Sequence, residues 1–225
     1  MQTQPIPHIY TCLYAAYGPQ RWWPADSAFE VVLGAVLTQN TRWENVRMAL
    51  DNVRAAGMLA PRALARMDDV ELQGLIRPAG FFRQKGATLR RVLHVLMEVY
   101  GGDLEAMLRG DTADVRARLL DIKGVGPETA DSILLYAGEH PIFVIDAYTR
   151  RICSRIGLCD PDASYSTLQH MFMHTLARDV QMYNEYHALL VQLAKCCCTK
   201  NRPACGACPL RDMCQHSGTN TPPFA

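Results

Sequence analysis

The sequence predicts an all-α fold, and three observations carry that expectation. Apolar residues recur at helical spacing along nearly the whole chain. Breakers fall at intervals that suit helices, at Gly57, at Pro78 with Gly80, and at Gly101-Gly102. The only strand-like run is "PIFVID", Pro141 to Asp146, which is too short and isolated to found a sheet.

Taken in order, "SAFEVVLGAVLTQNT" carries an apolar stripe at Phe29, Val32, Leu33, Val36 and Leu37, with Ser27 as its N-cap. "WENVRMALDNVRAAG" repeats the pattern and stops at Gly57, a good C-terminal residue. "DDVELQGLIRPAG" follows, and then the longer amphipathic helix "FRQKGATLRRVLHVLMEVYGG". "DTADVRARLLDI" is a short helix capped by Asp111 or Thr112, and "PETADSILLYAGE" is the next. After the strand-like run come "AYTRRICSRIGL", "YSTLQHMFMHTLARD" and "MYNEYHALLVQLAKCCC". Packing of their apolar faces is what would hold such a protein together.

The 225 residues suffice for one large or two small cores, and a 49% hydrophobic content excludes a disordered chain. No apolar run is long enough to span a membrane, and the N-terminal segment lacks the basic start of a signal peptide. The expectation is a cytoplasmic monomer. The net charge of +1 neither demands nor forbids nucleic acid, because local patches decide contact.

Nine cysteines stand out: Cys12, Cys153, Cys159, Cys196, Cys197, Cys198, Cys205, Cys208 and Cys214. Without a secretion signal, a metal or iron–sulfur site is the stronger reading over a disulfide framework. Cys198-x6-Cys205-x2-Cys208-x5-Cys214 suits four thiolates around either a [4Fe–4S] cluster or a tetrahedral zinc. Cys196 and Cys197 read as packing or spare thiols.

In "IKGVGPETADSI", Gly124 and Gly126 permit a tight turn and Pro127 suits a first helical position. The free N–H groups of Lys123, Gly124, Val125 and Gly126, with the helix behind them, would seat a DNA phosphate. The other reading is an ordinary connection between helices. Asp146 lies twenty residues after Gly126, behind an apolar run. It is either a held, desolvated carboxylate or simply a helix N-cap.

The hairpin, this aspartate and the cysteine spacing together resemble the helix-hairpin-helix base-excision DNA glycosylases of the endonuclease III superfamily, from about Trp22 to Cys214. The resemblance implies two helical domains with a DNA cleft between them. One is a six-helix, barrel-like domain over 27–137 with the helix-hairpin-helix at about 116–136. The other is an N/C-terminal cluster domain over 1–26 plus 138–225. It implies that Cys198, Cys205, Cys208 and Cys214 hold a [4Fe–4S] cluster, and that Asp146 stabilises the positive charge that builds on the sugar. Members that cut the strand carry a lysine nucleophile where this chain has Glu128. A carboxylate cannot form an imine, so base removal by water, without lyase action, is expected.

"RWWPADSAFEVVLGAVLTQNT" resembles the branch described as 3-methyladenine DNA glycosylases. That makes Trp22 and Trp23 candidates for a pocket stacking on a cationic alkylated purine, with core packing as the alternative. Gln39 matches the family's wedge, and Glu128 would border the pocket. Arg83, Lys85, Arg90 and Arg91 form the best local basic stretch for phosphates. Tyr148 and Arg150 are candidates for the cleft border, while His187 and Lys195 share a face of the last long helix. The expected partner is double-stranded DNA containing damaged bases. The rival readings are an endonuclease III-like glycosylase for oxidised pyrimidines or mismatches with lyase activity, and a non-catalytic DNA-binding protein with a structural cluster.

Overall fold

The structure is a computed structural model describing residues 5–217. The chain forms two compact units. One combines its two ends, up to Trp22 and from Pro141 onward, and the other is Trp23–His140. Among the described residues all regular structure is helical.

Helix α1 (Pro5–Tyr17) opens the end unit. The chain then builds the middle unit from α2 (Ala28–Leu37), α3 (Trp43–Ala55), α4 (Pro61–Arg66), α5 (Asp69–Ile76), α6 (Phe82–Glu98), α7 (Leu104–Leu108), α8 (Thr112–Leu120) and α9 (Pro127–Tyr136). It returns to the end unit as α10 (Ala147–Ile156), α11 (Tyr165–Thr175) and α12 (Val180–Cys196), followed by short 3-10 turns.

The local signals work as their chemistry requires. Ser27 Oγ accepts from Glu30 N at 3.2 Å and Asp111 Oδ1 accepts from Ala113 N at 2.8 Å, so both act as N-caps. Gly57 sits at φ 70 just past α3. Helix α2 differs from its expected stripe, since every residue from Phe29 to Leu37 is buried. It is the central helix of the middle unit, packed by α3, α6 and α9. Even Glu30 on α2 is buried. Its carboxylate accepts from Asp26 N at 3.0 Å and pairs with Arg54, which meets the requirement that a buried charge be partnered.

In the end unit α12 packs against α1 and α10. Phe143 stacks on Phe172 with ring centroids 4.2 Å apart, and Tyr183 and Tyr186 meet Phe143 edge-on. Such an aromatic group supplies a large share of a small core. Phe143 lies in the strand-like run, which is buried from Ile142 to Ile145 but forms no strand. A side chain takes the ladder's place, for Gln169 Nε2 donates to Phe143 O at 2.7 Å.

Candidate active site

The middle unit carries the hairpin. Helix α8 ends at Leu120, and buried Ile122 and Val125 pin the turn from below, with Val125 N donating to Ile122 O at 2.9 Å. Gly124 has φ 99, and a Cβ there would stand 2.2 Å from Thr88 Oγ1. Gly124 is therefore required twice, by conformation and by contact. Gly126 is different from expectation. Its φ of −93 suits any residue, and a Cβ would meet nothing within 4 Å. What Gly126 contributes is the absence of a capping side chain at the start of α9. Lys123, Gly124 and Glu128 are all exposed, with Glu128 in the first turn of α9.

Gln39 sits in the turn after α2. Its Nε2 donates to Gly124 O at 3.0 Å and to Thr129 Oγ1 at 2.9 Å, so the expected wedge is tied to the hairpin. Trp23 packs edge-on to Trp43 with centroids 5.1 Å apart and meets Tyr136 at 5.1 Å. Gly34 leaves room for it, since a Cβ there would lie 3.0 Å from Trp23 Cζ2. In this unit Trp23 takes the packing role.

Two of the four basic residues assigned to phosphates have other work. Lys85 is 2% exposed and donates to Leu37 O and Ala79 O. Burial pushes its ammonium down to about 8. Arg90 holds Asp69 Oδ1 at 2.6 Å and the carbonyls of Leu64 and Ala65 at 3.0 and 3.3 Å, which ties the α4–α5 connection to α6. Arg83 is exposed, and Arg91 donates to Lys123 O at 2.9 Å. A residue missed in the sequence is Phe81. It is 62% exposed with a left-handed φ of 46. The signal was present as two consecutive phenylalanines behind a glycine, of which a helix can turn only one inward.

The end unit carries Asp146. Both readings of this residue are realised at once. Oδ1 accepts from Thr149 N at 2.6 Å and caps α10, while Oδ2 faces His187 Nε2 of α12 at 3.6 Å. The side chains are 13% and 7% exposed. Burial pushes the Asp146 carboxyl up, but the His187 contact and the Thr149 hydrogen bonds outweigh it, so the net position is below the usual carboxylate value. The result is a fixed, nearly dry, ionised carboxylate with one oxygen committed to structure. Trp22 belongs to this unit too, and Lys195 Nζ of α12 stands 5.9 Å from its ring centroid. Arg150 donates to Ala163 O, and Tyr148 packs under Arg151 at 5.2 Å.

The cysteine tail folds around one cavity, lined by Cys197, Cys198, Cys205, Cys208 and Cys214 together with Arg155. Arg155 Nη1 donates to Cys198 Sγ at 3.3 Å and to Thr199 O at 2.8 Å, and Cys214 Sγ donates to Arg155 O at 3.4 Å. Burial raises the Cys208 thiol to about 11, helped by Cys197, Cys198 and Cys214 around it. Among the described residues no group of three or more His, Cys, Asp or Glu is gathered tightly enough for a single metal ion. Cys197 thus shares the cavity with the four cysteines of the spacing, while Cys196 Sγ lies 3.6 Å from Cys197 Sγ and 3.1 Å from the Tyr17 hydroxyl.

A family model for HhH-GPD superfamily base excision DNA repair proteins matches residues 33–178. The chain is 44% identical over 207 residues to "Putative DNA repair glycosylase MJ1434" of Methanocaldococcus jannaschii, covering 92% of this chain and 94% of that protein. It is 26% identical over 191 residues to endonuclease III of Sulfolobus acidocaldarius, covering 84% and 82%. Among solved structures, the 3-methyladenine DNA glycosylase MagIII of H. pylori bound to 1,N6-ethenoadenine matches with TM-score 0.74 and 28% identity, over 85% of this chain and 98% of that one. A non-covalent endonuclease III–DNA complex shares the fold at TM-score 0.83 and 20% identity, over 96% and 97%. The chain therefore belongs to the HhH-GPD superfamily of base excision DNA repair proteins and is a DNA repair glycosylase.

Proposed function

We propose that the chain is a monofunctional glycosylase that hydrolyses the N-glycosidic bond of alkylated purines, such as 3-methyladenine, in double-stranded DNA. Glu128 carries this reading. It occupies the first turn of α9, where an amine would be needed for lyase chemistry. The chain has four lysines, and none stands there. Lys85 is buried on carbonyls, Lys195 lies over Trp22, Lys200 is in the cysteine loop, and Lys123 precedes the turn.

On this reading the N–H groups of Gly124 and Gly126 and the Lys123 charge take a backbone phosphate, whereas Val125 N, expected to join them, is spent on Ile122 O inside the turn. The damaged nucleotide leaves the stack and Gln39 helps fill the gap. As the C1′–N bond breaks, its electrons pass to the cationic purine, which departs neutral, and positive charge grows on the sugar. Asp146 stabilises that charge through Oδ2, the oxygen that faces His187, orients the attacking water and takes up the proton it sheds. Trp22 supports a preference for cationic bases, since its ring already faces an ammonium group. Alkylated purines leave readily, which matches a site with a single committed carboxylate. The H. pylori neighbour, named for 3-methyladenine, points the same way.

The same reading gives the tail a [4Fe–4S] cluster held by Cys198, Cys205, Cys208 and Cys214. All four thiols of the spacing line one cavity, which supports the cluster, and its contribution would be to fix the basic loop containing Lys200 and Arg202. The test is base release from duplexes carrying 3-methyladenine, 7-methylguanine, uracil, thymine glycol or 8-oxoguanine, with borohydride trapping alongside. Release of the methylated purines with no covalent adduct is expected. Release of oxidised pyrimidines, or a trapped adduct, would overturn the assignment.

A further inference from the structure

Helix α6 presents Lys85, Thr88 and Arg91 at three-residue steps, and each reaches a different loop of the middle unit. Lys85 Nζ donates to Leu37 O at 2.9 Å and to Ala79 O at 2.7 Å. Leu37 is the last residue of α2, two positions before Gln39. Ala79 ends the 3-10 turn two positions before Phe81. One turn along α6, Thr88 lies against Gly124, and one turn further Arg91 holds Lys123 O at 2.9 Å. One helical face thus grips the Gln39 loop, the Phe81 loop and the hairpin turn.

The lysine is a costly choice for this position. It is 2% exposed, and among the described residues no carboxylate pairs with it. Methionine would fill a similar volume without a buried charge. An ammonium group does what methionine cannot: it binds carbonyls at the C-terminal ends of two helical segments and draws both ends toward one point. Loops that must open a duplex gain from being held in advance on a rigid element, because less ordering remains to be done on binding.

We propose that Lys85 is a positioning residue for base extrusion, locking the Gln39 and Phe81 loops to α6 at a fixed spacing. This rests on the glycosylase reading above. Because Lys85 acts through these loops, its loss and the loss of Gln39 should not add. In single-turnover release from methylated duplex, Lys85→Met and Gln39→Ala are each expected to lose about tenfold, and the double variant clearly less than the product of the two. A 2-aminopurine placed beside an abasic analogue reports unstacking directly. Its fluorescence rise on binding should fall about tenfold in Lys85→Met while affinity for undamaged duplex stays within about twofold. A purely structural role would lower both together.

Multiplicative losses, an unchanged fluorescence rise, or a parallel fall in undamaged-duplex affinity would overturn the proposal. Should the methionine variant not fold, Lys85→Gln keeps an uncharged N–H₂ donor and is held to the same non-additivity with Gln39→Ala. If the wild-type protein releases no base from any lesion, the glycosylase reading has failed, and the fluorescence result alone decides the role of Lys85.

Discussion

The hairpin turn and the cysteine tail are both short basic loops, yet they are held in opposite ways. The hairpin is built by ordinary packing. Ile122 and Val125 are buried beneath it, Thr88 backs Gly124, and Gln39 and Arg91 supply hydrogen bonds from two other elements. The tail after α12 has little apolar material of its own. Among its described residues Leu210 and Met213 are buried and apolar, and its backbone is tied through Arg155 to the carbonyls of Thr199 and Lys200 and through Arg151 to that of Cys198. Where side-chain packing suffices, the chain spends glycine and hydrophobes. Where it does not, thiols gather around a cavity, and a bound cluster would take over the work of a core.

The comparison extends to Asp146, where one residue serves both structure and chemistry, and the largest expected effect separates the two. Asparagine caps a helix as well as aspartate does, so Asp146→Asn should keep α10 and its thermal stability while removing the charge. Base release is expected to fall by about 10²–10³-fold in single-turnover assays. Retention of activity within tenfold would reduce Asp146 to its cap.

Removing a tail thiol should break one region and spare the other. Cys208→Ala is expected to lose the cluster's absorbance and iron, and to expose the tail to trypsin after Lys200, Arg202 and Arg211 about tenfold faster or more, while the middle unit stays protected. A colourless wild-type protein holding one zinc would refute the cluster. Uniform digestion of both units would refute their independence.

The reverse experiment targets the hairpin. Gly124→Ala forces a φ of 99 on alanine and a contact 2.2 Å from Thr88 Oγ1. A loss of about 1–3 kcal/mol of stability is expected from such strain, with weaker binding to undamaged duplex and no change in iron content. Thr88→Ala in addition should relieve the contact and leave the strain, so partial recovery is the informative result. Full recovery would mean that the backbone conformation costs nothing.

These regions also differ in how far the sequence disclosed them. Caps and stops such as Ser27, Gly57 and Asp111 are local chemistry and could be read directly. The cysteine spacing and Glu128 are likewise patterns of position along the chain, so the proposals built on them start from the sequence itself. Lys85 and Arg90 were not legible. Both sit in a basic run that resembles a phosphate-facing surface, and only the fold of α2, α4 and α5 around α6 reveals that they bind carbonyls. Trp23 is similar, because its packing depends on Trp43, Tyr136 and the space left by Gly34. Gln39 was singled out as a wedge, but its contact with the hairpin joins positions 85 residues apart in sequence, which no local pattern encodes.

The smallest expected effect concerns how Asp146 keeps its charge. Burial alone would raise its carboxyl, and the His187 contact is the largest influence opposing that rise. A carboxyl held below its ordinary value of 3.8 contributes stability that is present above that value and is lost as pH falls through the folded-state value. His187→Gln leaves the Thr149 cap in place and removes the imidazole, so burial gains weight and the carboxyl should rise. The acid limb of base release should then move to higher pH, with activity at neutral pH reduced only a few-fold, about the effect of one weakened hydrogen bond. The wild-type protein should keep its Asp146-dependent activity down through the ordinary carboxylate range. An acid limb that does not move in His187→Gln would show that Thr149 alone holds the carboxylate, and that α10 by itself supplies both the cap and the charge.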